Sequence, residues 1–159
     1  MEMPVFTIRG KNHRERGVDY GVQCKELIQG VLERYIRFFN GGHTAVSWDE
    51  AKVISKEFLP FIRSYSPELL DELEGIAQGA DVEFADLLTL NSRSEAMTLV
   101  RRPPSDKEEL DGCSSVAVLP DASANGHTIL AQNWDTYTWL EYGTVILQIL
   151  RDDGPDLMI

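Results

Sequence analysis

Apolar residues recur at three- and four-residue steps through the first hundred positions, and at two-residue steps or in unbroken runs after them. Leu27, Val31, Leu32, Tyr35, Ile36 and Phe39 form the stripe of an amphipathic helix from about Asp19 to Phe39. Asn40-Gly41-Gly42 ends it, because glycine enters the left-handed turn region at little cost. Ser47 and Glu50 have capping-box spacing and open a second helix towards Phe61. Ser66-Pro67 opens a third, with proline at the first helical position, where its missing N–H costs nothing. Leu69, Leu70, Leu73, Ile76 and Ala77 are its expected buried face, and Gly79 its expected stop. A fourth helix covers Glu83 to about Met97 with Phe84, Leu87 and Leu88 inward; ahead of all four, Val5 to Arg9 reads as a short strand.

The period changes near residue 103. Arg101 to Glu109 carries two prolines and a run of charge with no apolar repeat, which marks an exposed linker. Beyond it, Ser114 to Leu119 and His127 to Asn133 read as strands of a hairpin. Their loop, Pro120 to Gly126, ends in Asn-Gly. Gly143 to Leu150 is a third strand, and Asp156 to Ile159 a fourth that has barely begun after the turn Asp152-Asp153-Gly154-Pro155. The pattern divides the chain into a mainly helical region 1–102, an exposed linker 103–112 and a strand region 113–159. The expected class is α+β, with about five strands in one partial sheet. A chain that stops as a strand starts leaves an unpaired apolar edge, so Ile159 is expected to be a truncated end.

Composition narrows the classes. With 43% hydrophobic and 26% charged residues, the 159-residue chain can build a packed core. The net charge of −11 argues against nucleic-acid binding, which needs a basic face. No apolar stretch approaches a membrane span, and the acidic start Met1-Glu2-Met3-Pro4 lacks a signal-peptide pattern. These features point to an intracellular, cytoplasmic protein, with a peroxisomal address left open if the C-terminus is missing. Cys24 and Cys113 are expected to be free thiols. His13, His43 and His127 show no metal-ligand spacing, so neither a metal site nor a cofactor is expected. No glycine-rich phosphate loop follows a strand.

Candidate chemistry gathers at Asp111-Gly112-Cys113-Ser114-Ser115, where the linker meets the first strand of the hairpin. A thiol after glycine can attack the carbonyl of the residue before it, and glycine tolerates the strained geometry this requires. The N-to-S acyl shift gives a thioester, and hydrolysis leaves two chains. The freed α-amine, with an ordinary pKa of about 7.7–8.0, then serves as base for its own thiol. Gly-Cys alone favours the commoner role of cysteine as a small buried hydrophobe. Cys24, on a helix in a mainly polar stretch, is read as inert, and Arg93 and Glu95 as packing or salt-bridge residues.

The wider pattern favours chemistry. Gly112-Cys113-Ser114-Ser115, a strand, an Asn-Gly turn and then Gln132-Asn133-Trp134-Asp135 resembles the acyl-coenzyme A:6-aminopenicillanic-acid acyltransferase (isopenicillin N acyltransferase) family of cysteine N-terminal-nucleophile hydrolases. Arg16-Gly17 with Gly21, and Asn91-Ser92-Arg93-Ser94-Glu95, resemble further segments of the same family. The resemblance implies an incomplete αββα sandwich, autoproteolysis at Gly112–Cys113 and Cys113 as nucleophile. It further implies that Asp135 orients the nucleophile or the substrate amine and that Asn133 binds substrate or supports the hairpin. Trp134 is expected on the other face, in the core. The implied activity is amidohydrolase or acyltransferase, on a small amide or acyl-thioester substrate such as an acyl-coenzyme A. Family chains continue past this point, which puts turnover by this chain alone in doubt. The alternative is an inactive truncated relative that persists as an interaction protein, self-associating through an exposed sheet edge at Gly143–Leu150.

Overall fold

A computed structural model of the chain describes residues 3–99, 113–152 and 154–159. The chain is α+β, a helical N-terminal part followed by a few strands, and its contacts divide it into two units. One unit is Met1–Arg102 with Glu141–Ile159; the other is Pro103–Leu140. The expected linker 103–112 lies outside the described residues.

In the larger unit, strand β1 (Val5–Ile8) leads into α1 (His13–Gln23) and α2 (Lys25–Phe38). These two helices occupy the stretch in which a single helix from Asp19 was expected. The first begins six residues earlier, because Asn12 caps it by accepting a bond from the Glu15 N–H at 2.9 Å. It ends at Cys24, whose backbone (φ −106°, ψ 16°) leaves the helical region. A π-turn over Phe39–His43 follows α2, with Gly42 at φ 81° supplying the expected stop. Helix α3 (Trp48–Lys56) carries the full capping box of Ser47 and Glu50. The expected run to Phe61 breaks after it, and a separate α4 (Leu59–Tyr65) follows.

Helix α5 (Pro67–Ala80) starts on Pro67 as the sequence indicates, but its stop is Asp81 rather than Gly79. Asp81 takes the left-handed conformation (φ 57°), and Val82 N–H bonds back to the Ala77 carbonyl at 3.1 Å. Gly79 has a different use. Gly17 and Gly21 of α1 face Gly75 and Gly79 of α5, and a Cβ on any of the four would overlap backbone of the other helix. The atoms it would meet are the carbonyls of Glu72, Ile76, Arg14 and Val18 respectively. The two helices therefore cross at backbone contact. Leu70 and Ala77 on α5 are buried as expected, whereas Leu69 is 47% exposed. The expected fourth helix is also broken, into α6 (Phe84–Asn91) and α7 (Arg93–Leu99), with Leu87 and Leu88 buried as read from the pattern.

The core joins Cys24 and Ile28 to Ala77, Ala80 and Leu87, with Phe6, Leu73, Phe84 and Leu147 packed around them. Strand β1 pairs in parallel with the strand at Ile146–Ile149, and that strand pairs antiparallel with Leu157–Met158. Phe6, Ile8, Leu147 and Ile149 share one face by alternation; Ile8 and Ile149 are buried, and Phe6 and Leu147 lie on the core cluster. The 146–149 strand is thus the central one of three, and the expectation of an apolar edge at Gly143–Leu150 is corrected: two strands flank it. Tyr142 anchors the approach to it. Its ring lies over Gly30 of α2, under the Arg34 guanidinium at 3.9 Å, and its hydroxyl donates to the Glu26 carbonyl at 3.3 Å.

The smaller unit holds β2 (Ser114–Val118) and β3 (Ile129–Asn133), so the strands, which become β4 at Ile146–Ile149 and β5 at Leu157–Met158, form two sheets rather than the single one expected. Among the described residues no helix is long and apolar enough to cross a membrane.

The α1–α5 crossing generates a prediction. Gly21→Ala is expected to lower stability by about 1–3 kcal/mol, the usual cost of forcing extra volume into packed structure. This holds although alanine is the better helix former. A urea midpoint no lower than that of Gly41→Ala, whose added Cβ meets only the His43 ring at 3.2 Å, would contradict the crossing.

Candidate active site

The β2–β3 hairpin builds the site from local rules. Asn125 and Gly126 make the turn: Gly126 sits at φ 71°, and the Asn125 side-chain oxygen accepts from the His127 N–H at 3.2 Å. This fixes an antiparallel register that pairs Ser114 with Asn133, Ser115 with Gln132, Val116 with Ala131, Ala117 with Leu130 and Val118 with Ile129. Cys113 stands immediately before β2, a free and exposed thiol. Its Sγ lies 3.9 Å from the main-chain oxygen of Asp135. The Asp135 carboxylate accepts a bond from the Asn133 amide at 3.0 Å.

Cys113, Asn133 and Asp135 therefore meet at one end of the hairpin, although Asp135 lies two residues past the last paired position rather than on the strand. Gly112 lies outside the described residues. Trp134 is 51% exposed, so the core position expected for it is corrected. It lies one residue past the end of β3, where the pairing with β2 has stopped. Tyr137 and Trp139 stack a few residues on, with ring centroids 5.7 Å apart.

Cys24 contrasts with Cys113. It is 2% exposed in the core of the larger unit, where burial, and secondarily the Asp19 charge, push its thiol up to about 11. The polar neighbours in its sequence concealed that burial, but the inert role read for it agrees with so high a pKa. Arg93 donates to the Tyr35 hydroxyl and to the Leu90 carbonyl, both at 2.7 Å, which is the packing role read from the sequence. Arg16 is a residue whose burial the pattern did not anticipate. It is 2% exposed on α1, with one guanidinium N–H directed to the Gly10 carbonyl at 3.4 Å. The signal in the sequence was the Arg16-Gly17 segment with Gly21, already singled out by resemblance. Among the described residues no cluster of His, Cys, Asp and Glu could hold a metal ion.

The hairpin thus sets an exposed thiol near an Asn–Asp pair, and the relatives of the chain are a hydrolase and an acyltransferase. Over 158 residues, 94% of this chain, it is 28% identical to the β-alanyl-dopamine/carcinine hydrolase of Drosophila melanogaster. Over 144 residues, 87% of the chain, it is 28% identical to the acyl-coenzyme A:6-aminopenicillanic-acid-acyltransferase 40 kDa form of Emericella nidulans. The chain spans 38% and 37% of the lengths of these two relatives. No family model matches it. The resemblance to the acyltransferase family read from the residues is borne out by these homologues.

The Cys24 environment predicts an alkaline loss of stability. Its folded pKa of about 11 exceeds the ordinary 9.0, so between those values the unfolded chain releases a proton that the folded chain keeps. Stability is therefore full below pH 9 and falls as pH rises towards 11. Cys24→Ala should flatten that fall in urea titrations across the range, while Tyr20, also raised by burial, keeps part of it. An alkaline limb identical in parent and variant would contradict the assignment.

Proposed function

We propose that the chain is the α chain and the opening of the β chain of a self-processing N-terminal-nucleophile amidohydrolase or acyltransferase of αββα type. Residues 1–102 form the α-chain region, 103–112 a linker ending at the cleavage site, and 113–159 the first part of the β chain. The observation that carries this reading is the free, exposed Cys113 beside the Asn133–Asp135 pair, in a chain related to both a hydrolase and an acyltransferase.

In processing, the Cys113 thiol attacks the Gly112 carbonyl carbon, the C–N bond breaks, and the thiol proton passes to the departing nitrogen. Water then hydrolyses the thioester, leaving the Gly112 carboxylate and a Cys113 that carries both a thiol and a free α-amine. In catalysis that amine takes the thiol proton while sulfur attacks the substrate carbonyl. The C–S bond forms, the bond to the leaving amine or thiol breaks, and the proton goes to the leaving group. Water or an acceptor amine then releases the acyl group. Asp135 orients the α-ammonium, whose charge it complements, and Asn133 fixes the Asp135 carboxylate through their hydrogen bond. The substrate is a small amide or an acyl thioester.

Intact mass of the purified chain beside its Cys113→Ala variant tests self-processing. The parent is expected to split at Gly112–Cys113 into two fragments, while the variant stays a single 17.9 kDa species. An uncut parent, or a cut that survives in the variant, would contradict the proposal.

A further inference from the structure

Gln132 belongs to the motif that carries the family resemblance, yet no role has fallen to it so far. Its place in the hairpin supplies one. Gln132 pairs with Ser115, so the two side chains leave the same face of the sheet. Cys113 stands two residues before Ser115 and one before the first paired residue, so a strand continued by one step would give its side chain that face as well. Ser114 and Asn133, paired with each other, leave the opposite face. On that continuation Gln132 is the diagonal cross-strand neighbour of Cys113. Diagonal neighbours in an antiparallel pair are about 7–8 Å apart, a gap that a long side chain bridges.

The neighbouring amides differ in availability. The Asn133 amide is committed to the Asp135 carboxylate at 3.0 Å. The Gln132 side chain is exposed, and its amide is engaged with no other described residue. When sulfur attacks an acyl carbonyl, the π electrons move onto oxygen, and that oxyanion needs a hydrogen-bond donor close to Sγ. A neutral carboxamide supplies N–H donors without adding a charge that would alter the thiol before the reaction begins.

We infer that Gln132 is a catalytic residue for the proposed acyl transfer: its side-chain N–H donates to the oxyanion formed when Cys113 attacks the acyl carbonyl. The inference rests on the reading of Cys113 as nucleophile. In the step concerned, the C–S bond forms as the carbonyl π bond opens onto oxygen. Gln132 holds that oxygen, and collapse re-forms the carbonyl and expels the leaving group, which takes the proton released by the thiol.

Two reagents that share a nucleophile and differ in their transition states separate this role from others. Acylation of Cys113 by p-nitrophenyl acetate passes through an oxyanion; alkylation by iodoacetamide, a displacement at saturated carbon, does not. Both rates are read by peptide mass mapping of the Cys113 peptide in the full chain and in its Gln132→Leu variant. The variant is expected to acylate more slowly, by up to the order of 10²-fold that loss of an oxyanion donor costs, and to alkylate at the parental rate. A circular dichroism spectrum matching the parent's shows that the variant keeps its fold. Equal acylation rates would overturn the donor role and leave Cys113 as nucleophile. Acylation and alkylation slowed alike would overturn it too, assigning Gln132 to the state of the thiol instead. A parent in which p-nitrophenyl acetate leaves Cys113 unmodified would overturn the nucleophile reading and the inference together.

Discussion

The close crossing of α1 and α5 is the constraint on which the larger unit depends. Four glycines, Gly17, Gly21, Gly75 and Gly79, bring the two backbones into direct contact, and no larger residue fits at any of them without separating the helices. Glycine inside a helix costs about 1 kcal/mol relative to alanine, so four such positions represent a considerable local expense. What they allow is the approach of Cys24 and Ile28 to Ala77, Ala80 and Leu87, the core cluster over which Phe6 and Leu147 lie. Outside the crossing, polar pairs tie the same two helices at their flanks: His13 to Glu72 at 2.9 Å and Arg14 to Glu74 at 2.6 Å. These are exposed or half-exposed contacts of small worth, and they orient the helices rather than hold them together.

The sheet of the larger unit follows from that core. Strands β1 and β4 run in parallel register, and Phe6 and Leu147 pack against the cluster of Cys24, Ile28, Ala77, Ala80 and Leu87, while Ile8 and Ile149 are buried on the same sheet face. Parallel neighbours need a long connection, and here everything between Ile8 and Ile146 supplies it. The hairpin obeys a different logic. Its strands are set by the Asn125-Gly126 turn and a short local register, and the groups proposed for chemistry sit at its open end, away from the turn. Local determination of this kind positions Cys113 relative to Asn133, Asp135 and Gln132 with few long-range contacts.

Legibility in the sequence tracks this difference between local and distant causes. The Ser47–Glu50 capping box, Pro67 at a helix start, the Gly42 stop and the hairpin all rest on residues a few positions apart, and each was readable. Gly79 was misread because glycine serves two purposes, a left-handed stop and a close approach. Only the position of α1 opposite it decides between them. The break at Cys24 carries no proline or glycine to announce it, so one helix was read where two stand. Strand β4 looked like an edge because nothing in its own residues names β1 as a partner 141 positions away. At the site, the proximity of Asn133 to Asp135 followed from their spacing. The exposure of Trp134 and the facing of Gln132 required the actual strand ends and register.

The most direct test of Cys113 as nucleophile is to trap the acyl-enzyme. The chain, incubated with a radiolabelled acyl thioester and quenched in acid, is digested and the label located by peptide mapping. One acyl group per chain is predicted on the Cys113 peptide, bound as a hydroxylamine-labile thioester and absent from the Cys113→Ala variant. Label on the Cys24 peptide, or labelling that persists in the variant, would contradict the assignment of Cys113.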